Sequence, residues 1–427
     1  MIDIKILREN PKLVKENIKK KFQEDKLELV DKVLDLDLKW RKEKKKVDDL
    51  RSSRNKISAS INELMKKGSK GEASKLISEA KKIPAKISKV EAKTSKYLKE
   101  IREIMIRIPN MMHESVPSGG EEKDNVELRK WGEIPKFDFK IKNHVDLVED
   151  LFLVDSKKGS LVAGSRFYYL RGDLVLLNLA LQRFALDVVM KKNFLPIQPP
   201  YMLNKQSMGG AVSLADFEEN IYKIENEDLF LIGTSEHSLA AMHQNENLNL
   251  KNPLKYAGLS SCFRKEAGSH GKDTKGIFRV HRFEKIEQFV FCAERDEQAV
   301  FDEIISNQEE IFKLLKIPYR VLALCGGEVG GTMARTYDLE GWFPSQKKYR
   351  ELGSTSSATT YQSRKLNIRY QEKGKLFHSY TVNGTAMSVQ RTMCCLLENY
   401  QEKDGSIKIP KILQPYMGGA KKIGIKK

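Results

Sequence analysis

From Val33 onward the apolar residues of this 427-residue chain recur at alternating steps of three and four. Val33, Trp40, Val47 and Ile61 take one heptad position, and Leu36, Leu50, Ile57 and Leu64 take the other, with Glu43 and Arg54 as polar interruptions. After MKKGSKGEAS a second series runs from Leu76 through Ala80, Ile83, Ile87, Val90, Thr94, Tyr97, Ile101 and Ile104 to Ile108. Such spacing is the seam of a coiled coil. Two seams joined by a turn at Gly68 and Gly71 predict an antiparallel helical hairpin, each arm roughly 45 to 55 Å long at 1.5 Å per residue. Pro84 is expected to kink the second helix or to mark a late start. The stretch IPNMMHESVPSGGEEKDN then reads as a linker. Beyond it the pattern changes to mixed helices and alternating strands, the grammar of an α+β domain of about 300 residues. The expected division is residues 1–112, with the hairpin at about 30–108, and residues 113–427.

Within the second region one pair of strands carries too much charge for an ordinary core. AGLSSCFRKE (257–266) and IFRVHRFEKIEQFVF (277–291) flank the polar, glycine-containing loop AGSHGKDTKG, so they pair antiparallel. Alternation puts Arg264 and Glu266 on a face with Cys262, and Arg279, His281, Phe283, Lys285 and Glu287 on one face of the return strand. Buried charge is costly unless it is paired or used. Guanidinium donors match phosphate oxygens, an aromatic ring can stack on a base, and carboxylates can accept from an amine or ammonium. The pattern alone also admits an exposed face laced with weak cross-strand ion pairs.

Charge sharpens the partner. The chain holds 76 Lys+Arg against 58 Asp+Glu, a net of +18 with pI near 9.4, and residues 39–107 contribute 22 basic against 9 acidic residues. A basic rod with no room for a pocket suits a phosphate backbone, the alternative being a dimerisation rod with a solvated face. The five cysteines (Cys262, Cys292, Cys325, Cys394, Cys395) show no CxxC spacing and no His cluster accompanies them, so a reducing cytoplasm and no zinc are expected. The N-terminus has no signal-type apolar run and no stretch approaches about 18 apolar residues, so no membrane association is expected. The chain lacks GxxxxGK[ST], GxGxxG after a strand, and HExxH, so any ATP is handled without those devices.

With those residues in view, the sequence resembles the class II aminoacyl-tRNA synthetases, and among them the seryl-tRNA synthetases, over nearly its whole length. FRKEAG…RVHRFEKIE is similar to class II motif 2, NGTAMSVQRTMCCLLENYQ to motif 3 and LQRFALDVVMKKNFLPIQPP to motif 1. TSE at 234–236 resembles the family's TxE serine loop, and YRELGSTSSATTYQSRK the segment that holds metal and ATP. The basic hairpin resembles the family's arm for the long variable arm of tRNA(Ser).

The resemblance implies an antiparallel sheet with flanking helices, a homodimer built partly on the motif 1 region, and ligation of L-serine to tRNA(Ser) at the cost of ATP, with tRNA(Sec) left open. By the same resemblance Arg264 and Arg391 are catalytic. Arg264, Lys265, Glu266, Arg279, Val280, Phe283, Glu351, Leu352, Gly353, Ser354 and Arg391 would bind ATP. Thr234, Ser235, Glu236, Arg264, Glu287, Asn383 and Thr385 would bind serine. Glu351 and Ser354 would hold Mg²⁺, a cation that takes oxygen ligands. Lys272 and Lys275 in the motif 2 loop become candidates for the tRNA acceptor end. Three positions depart from the family pattern: Gly353 in ELGSTSS, Gln390 before the motif 3 arginine, and His237-Ser238 after the TxE loop. Two rivals remain, a serine-activating relative that loads a carrier protein and a catalytically idle RNA-binding relative. The first has no use for the basic hairpin, and the second need not keep Arg264, Glu266, Glu351 and Arg391 together. The basic tail GGAKKIGIKK is expected to be disordered.

Overall fold

The heptad seams close on each other in the computed structural model, which describes residues 1–214, 219–267, 273 and 275–424. Two compact units result: residues 2–19 with 23–108, and residue 1 with 20–22 and 109–427.

In the first unit the long helices α1 (Leu27–Lys66) and α2 (Lys70–Met105) pack along their length. At 1.5 Å per residue they run to roughly 60 and 54 Å, the first somewhat longer than the seams suggest and the second within the expected range. Every apolar seam position is buried or half-buried, whereas Arg54 is exposed. Gly68 turns the chain with φ 78°, a conformation that favours glycine. Pro84 starts no helix: α2 runs through it unbroken, with the proline on an exposed face. Asp37 is a buried carboxylate that heptads do not announce. It accepts from Arg8 Nε at 2.9 Å and pairs with Arg41 Nε at 3.0 Å, which compensates its loss of water.

The second unit is built on an eight-stranded sheet: β1 (Val126–Trp131), β2 (Leu195–Ile197), β3 (Leu254–Phe263), β4 (Arg282–Cys292), β5 (Tyr319–Ala323), β6 (Arg335–Phe343), β7 (Lys348–Thr359) and β8 (Tyr380–Ser388). Their order is β1-β5-β6-β7-β8-β4-β3-β2, antiparallel throughout except for the parallel edge pair β2–β3. Four helices matter to the site: α3 (Asp173–Met190), α4 (Ser235–Ala241), α5 (Glu297–Leu314) and α6 (Val389–Asn399). Leu177, Leu181 and Phe184 of α3, Phe301 and Ile304 of α5 and Met393 and Leu397 of α6 join Ile286 and Val290 of β4 in the main core. On the other face of β4, Phe289 and Phe291 join Leu239 and Ala240 of α4 in a second core. The face that carries Lys285 and Glu287 therefore continues into buried aromatic packing, which is why β4 reads as apolar on both faces near its end.

The charged strand pair is shorter than its sequence suggests. β3 ends at Phe263 and β4 begins at Arg282, so residues 264–266 and 277–281 lie outside the ladder and Glu266 has φ 53°. The tail is also more regular than expected, since Lys422–Ile423 pairs with Ile407–Lys408; residues 425–427 lie outside the described residues.

Gly353, one of the departures, has a packing reason. A Cβ there would lie 2.4 Å from Gln308 Nε2 and 2.7 Å from Thr385 Cβ, closer than any relaxed contact. Only glycine lets Gln308 of α5 approach β7 this closely beside β8. Gly353→Ala is accordingly expected to lower unfolding stability by roughly 1–3 kcal/mol through overpacking. Denaturant unfolding with an unchanged midpoint would show that the contact has slack.

Candidate active site

The antiparallel register decides which charged side chains meet. Phe283 lies opposite Cys262, Lys285 opposite Ser260, and Glu287 opposite Gly258 on one side and Thr385 on the other. Phe283, Lys285 and Glu287 thus project from one face toward Thr385 and, two residues back on β8, Asn383. A cavity of about 190 Å³ opens there. It is lined by Thr234, Glu236, Arg264, Glu266, Arg279, Val280, Phe283, Glu287, Glu351, Leu352, Gly353, Ser354, Asn383, Thr385 and Arg391, all of them residues expected from the sequence. A second chamber of about 460 Å³ adjoins it and shares Phe278, Arg279, Glu351 and Arg391.

Two expected residues point elsewhere. Ser235 is fully buried and donates its hydroxyl to the Gly258 carbonyl at 3.2 Å, which seats α4 on β3. A Cβ at Gly258 would lie 2.6 Å from that hydroxyl, so the approach needs glycine. Lys265 is exposed, its ammonium 5.8 Å from the Tyr222 ring centre, and it does not line the cavity. His281, placed with the charged face by alternation, instead bonds the Arg264 carbonyl at 2.8 Å and stacks on Phe167, because residue 281 precedes the strand. Lys272 lies outside the described residues, and Lys275 is exposed.

Charge within the cavity is nearly balanced pair by pair. Arg279 meets Glu266 at 2.9 Å, Arg391 meets Glu351 at 2.9 Å, and Lys285 pairs with Glu287. Among the described residues, Arg264 has no carboxylate partner and Glu236 has no cationic one. Arg264 donates through Nε to the Gly233 carbonyl at 3.1 Å, with its guanidinium 5.3 Å from the Phe283 ring centre. Glu236 accepts from Gln362 Nε2 at 2.9 Å and from Asn383 Nδ2 at 3.1 Å, and the same Asn383 amide reaches Glu287 at 3.1 Å. Burial, reinforced by the Glu287 charge, pushes the Glu236 carboxyl up to about 7. Among the described residues the cavity thus holds one cation without a carboxylate partner and one carboxyl that gains from a cation.

A cluster of oxygens lies at the other end. Asp338 stands opposite Ser354 in the β6–β7 register, and its Oδ1 is buried without a hydrogen-bond partner. Burial and then the neighbouring Glu351 push the Asp338 carboxyl well up, whereas the Arg391 charge holds that of Glu351 down. Glu351, Ser354 and Asp338 offer oxygen donors of the kind a hard divalent cation takes, but among the described residues no group of three or more His, Cys, Asp or Glu is placed to hold a metal ion.

Lys285 was on the charged face by alternation but had no role in the sequence reading. Its ammonium reaches Thr385 Oγ1 at 3.3 Å as well as Glu287. Asp338 was missed because only the pairing of β6 with β7 reveals it. The Gln390 departure is also accounted for: its amide accepts the Glu284 N–H at 2.9 Å and donates to the Glu284 carboxylate, tying α6 to β4.

Known proteins with this arrangement are informative over the whole chain. Residues 1–112 match the family described as the seryl-tRNA synthetase N-terminal domain, and residues 219–400 the class II tRNA synthetase core domain (G, H, P, S and T). The serine–tRNA ligase of Methanospirillum hungatei is 46% identical over 98% of this chain and 99% of its own length, and that of Nitrosopumilus maritimus 45% over 99% and 100%. Seryl-tRNA synthetase from Pyrococcus horikoshii, solved with ATP, superposes with a TM-score of 0.93 at 44% identity over all of both chains. The cytoplasmic serine–tRNA ligase of Naegleria fowleri, solved with AMP, gives 0.88 at 38%, covering 100% of this chain and 99% of its own. Hairpin and charged cavity thus lead to the same relatives, and the chain belongs to the seryl-tRNA synthetases, the serine–tRNA ligases of class II.

Proposed function

We propose that the cavity activates L-serine with ATP and passes the seryl group to tRNA(Ser), with the residue roles that follow. The observation that carries this reading is the incomplete couple: among the described residues Arg264 has no carboxylate in salt-bridge contact, and Glu236 has no cation in salt-bridge contact. An amino acid is a zwitterion of complementary sign. Its carboxylate meets Arg264, its ammonium meets Glu236 and the Thr234 hydroxyl, and its side-chain hydroxyl reaches Glu287, supported by Asn383 and Thr385. Adenine lies against Phe283, with Glu266 accepting from its amine, and Arg279 and Arg391 receive phosphate oxygens. Those two arginines are also paired with Glu266 and Glu351, so the phosphates compete with these carboxylates for them.

The reaction proceeds in two displacements. A serine carboxylate oxygen attacks the α-phosphorus in line, the bond to the bridging oxygen breaks, and pyrophosphate leaves. The 3'-terminal ribose hydroxyl of tRNA then attacks the carbonyl carbon and AMP departs. Such chemistry asks for alignment and charge neutralisation rather than a protein nucleophile. Arg264 bridges the two reacting groups and holds them together, while Arg391 balances charge on the leaving side. Glu351 and Ser354, with Asp338 beside them, would hold Mg²⁺, which when bound neutralises phosphate charge.

The same reading extends beyond the cavity. The hairpin exposes Lys42, Lys45, Arg51, Arg54, Lys56, Lys81, Lys82, Lys86 and Lys89 along its length, a distribution suited to an RNA backbone rather than to a packed partner. We place the division of labour at residues 1–112 for tRNA and 113–427 for catalysis. Val175, Leu176 and Leu179 on α3, with Met190 and Leu195 in the motif 1 region, form an exposed apolar row that supports pairing with a second copy. Among the described residues no helix is long and apolar enough to cross a membrane.

Glu236 gives this reading a pH signature. It faces Glu287 and Lys285, with Arg264, Gln362 and Asn383 around it, and it binds an ammonium only as the carboxylate. Its raised value makes ionisation less favourable, so below about pH 7 the proton competes with the substrate. The kcat/KM for serine in ATP–pyrophosphate exchange is expected to fall about tenfold per pH unit below that point. A profile flat from pH 7 to 5.5 would remove Glu236 from the ammonium site.

Removing residues 30–108 separates the two units functionally. Serine-dependent exchange should persist while charging of tRNA(Ser) falls by about 10³-fold, because phosphate contacts dominate such affinity. Charging that survives the deletion would contradict the tRNA role of the hairpin, and wild-type protein without serine-dependent exchange would contradict the proposed activity.

A further inference from the structure

His237 is buried directly behind the serine loop, with 6% of its surface exposed, and no step above uses it. Its Nδ1 accepts the Gly233 N–H at 3.3 Å. An accepting Nδ1 means that the ring proton resides on Nε2. Burial, then the charges of Arg264 and Lys285, push the imidazole down to about 3, so it is neutral wherever the enzyme works. Protonation would set a donor against a donor and add a third cation beside those two.

Gly233 is held at its second polar atom as well. Its carbonyl accepts from Arg264 Nε at 3.1 Å. The residue is thus gripped by one side chain at its N–H and by another at its C=O, immediately before Thr234, whose hydroxyl accepts the Glu236 N–H at 3.3 Å. The space is close as well as polar: a Cβ at Gly233 would lie 3.3 Å from His237 Cε1 and 3.7 Å from Arg264 Cγ. Because the carbonyl engages Nε, both Nη groups of Arg264 stay available for a carboxylate and a phosphate, where the guanidinium fork has its geometric value.

We propose that His237 is a positioning residue for Arg264: by accepting the Gly233 N–H it fixes the carbonyl on which Arg264 is set, and so aims the guanidinium at the carboxylate of serine and the α-phosphate of ATP. This rests on the role given to Arg264 above. A leucine at 237 would fill comparable volume, but it would leave the Gly233 N–H without an acceptor inside the protein, and the loop would move to find one. An asparagine is shorter, but its Oδ1 stands close to the Nδ1 position and restores an acceptor.

The test compares His237→Leu with His237→Asn in serine-dependent ATP–pyrophosphate exchange, with thermal midpoints measured alongside. The leucine variant should lose about tenfold in kcat/KM for serine, the scale of one oriented hydrogen bond at a charged group. The asparagine variant should recover most of that loss at a similar midpoint. Wild-type kinetics in the leucine variant would overturn the proposal. Equal losses in both variants would also overturn it, since they would assign His237 to packing alone. If the leucine variant does not fold, His237→Ile makes the same comparison. Arg264→Ala is the separate control. Unchanged exchange there would refute the reading of Arg264 itself, whereas lost exchange with an indifferent His237 series would refute only the positioning role.

Discussion

Two buried carboxyl groups, Glu236 and Glu287, share the amide of Asn383, and the site is arranged around keeping their charge tolerable. Like charges this close disfavour joint ionisation, and burial adds to the cost. Lys285 relieves Glu287. Among the described residues no salt bridge relieves Glu236 in the same way: its hydrogen bonds come from the neutral amides of Gln362 and Asn383, and Lys285 and Arg264 offset its charge only in part. In the proposed function an incoming ammonium supplies what is missing. The complementary shortage is at Arg264, held through one nitrogen to a carbonyl and otherwise open to an anion. In the proposed function, charge left incomplete at these two points selects an amino acid before its side chain is tested.

The sheet makes this possible by separating structural from chemical faces. β4 buries Ile286 and Val290 against α3 and α5 while Lys285 and Glu287 project into the cavity from the opposite face. β8, its neighbour, brings Asn383 and Thr385 to the same level through the register that sets Thr385 against Glu287. Glycines permit the close approaches behind the site: Gly258 lets α4 seat on β3, and Gly353 makes room for Gln308. Gln390 ties the helix carrying Arg391 to the strand carrying Glu287. The departing residue at 390 thus helps to hold the start of the Arg391 helix against β4.

Local periodicity made much of this legible. The hairpin followed from steps of three and four, because a two-helix seam is recorded in every turn. The coincidence of charged faces followed from alternation for Phe283, Lys285 and Glu287, which lie within a regular strand. Alternation failed for His281, Arg279 and Arg264, since the ladder stops at Phe263 and resumes at Arg282. Arg264 and Arg279 nevertheless line the cavity, whereas His281 does not. Ser235 and Lys265 show the limit of the family resemblance: they sit inside matching motifs, yet one seats a helix and the other faces outward. Asp338 was invisible because only the β6–β7 pairing places it, and the burial of Asp37 was invisible because Arg8 reaches it from outside its helix, although its other partner, Arg41, is a local i,i+4 neighbour.

The central claim is that incomplete charge admits an amino acid and that Glu287 then reads a hydroxyl. It is tested most directly by comparing L-serine with L-alanine in ATP–pyrophosphate exchange. Alanine presents the same zwitterion but leaves the buried Glu287 oxygens without the donor they are placed to receive. The account predicts a kcat/KM for alanine about 10⁴-fold below that for serine. Alanine activated within tenfold of serine would contradict it.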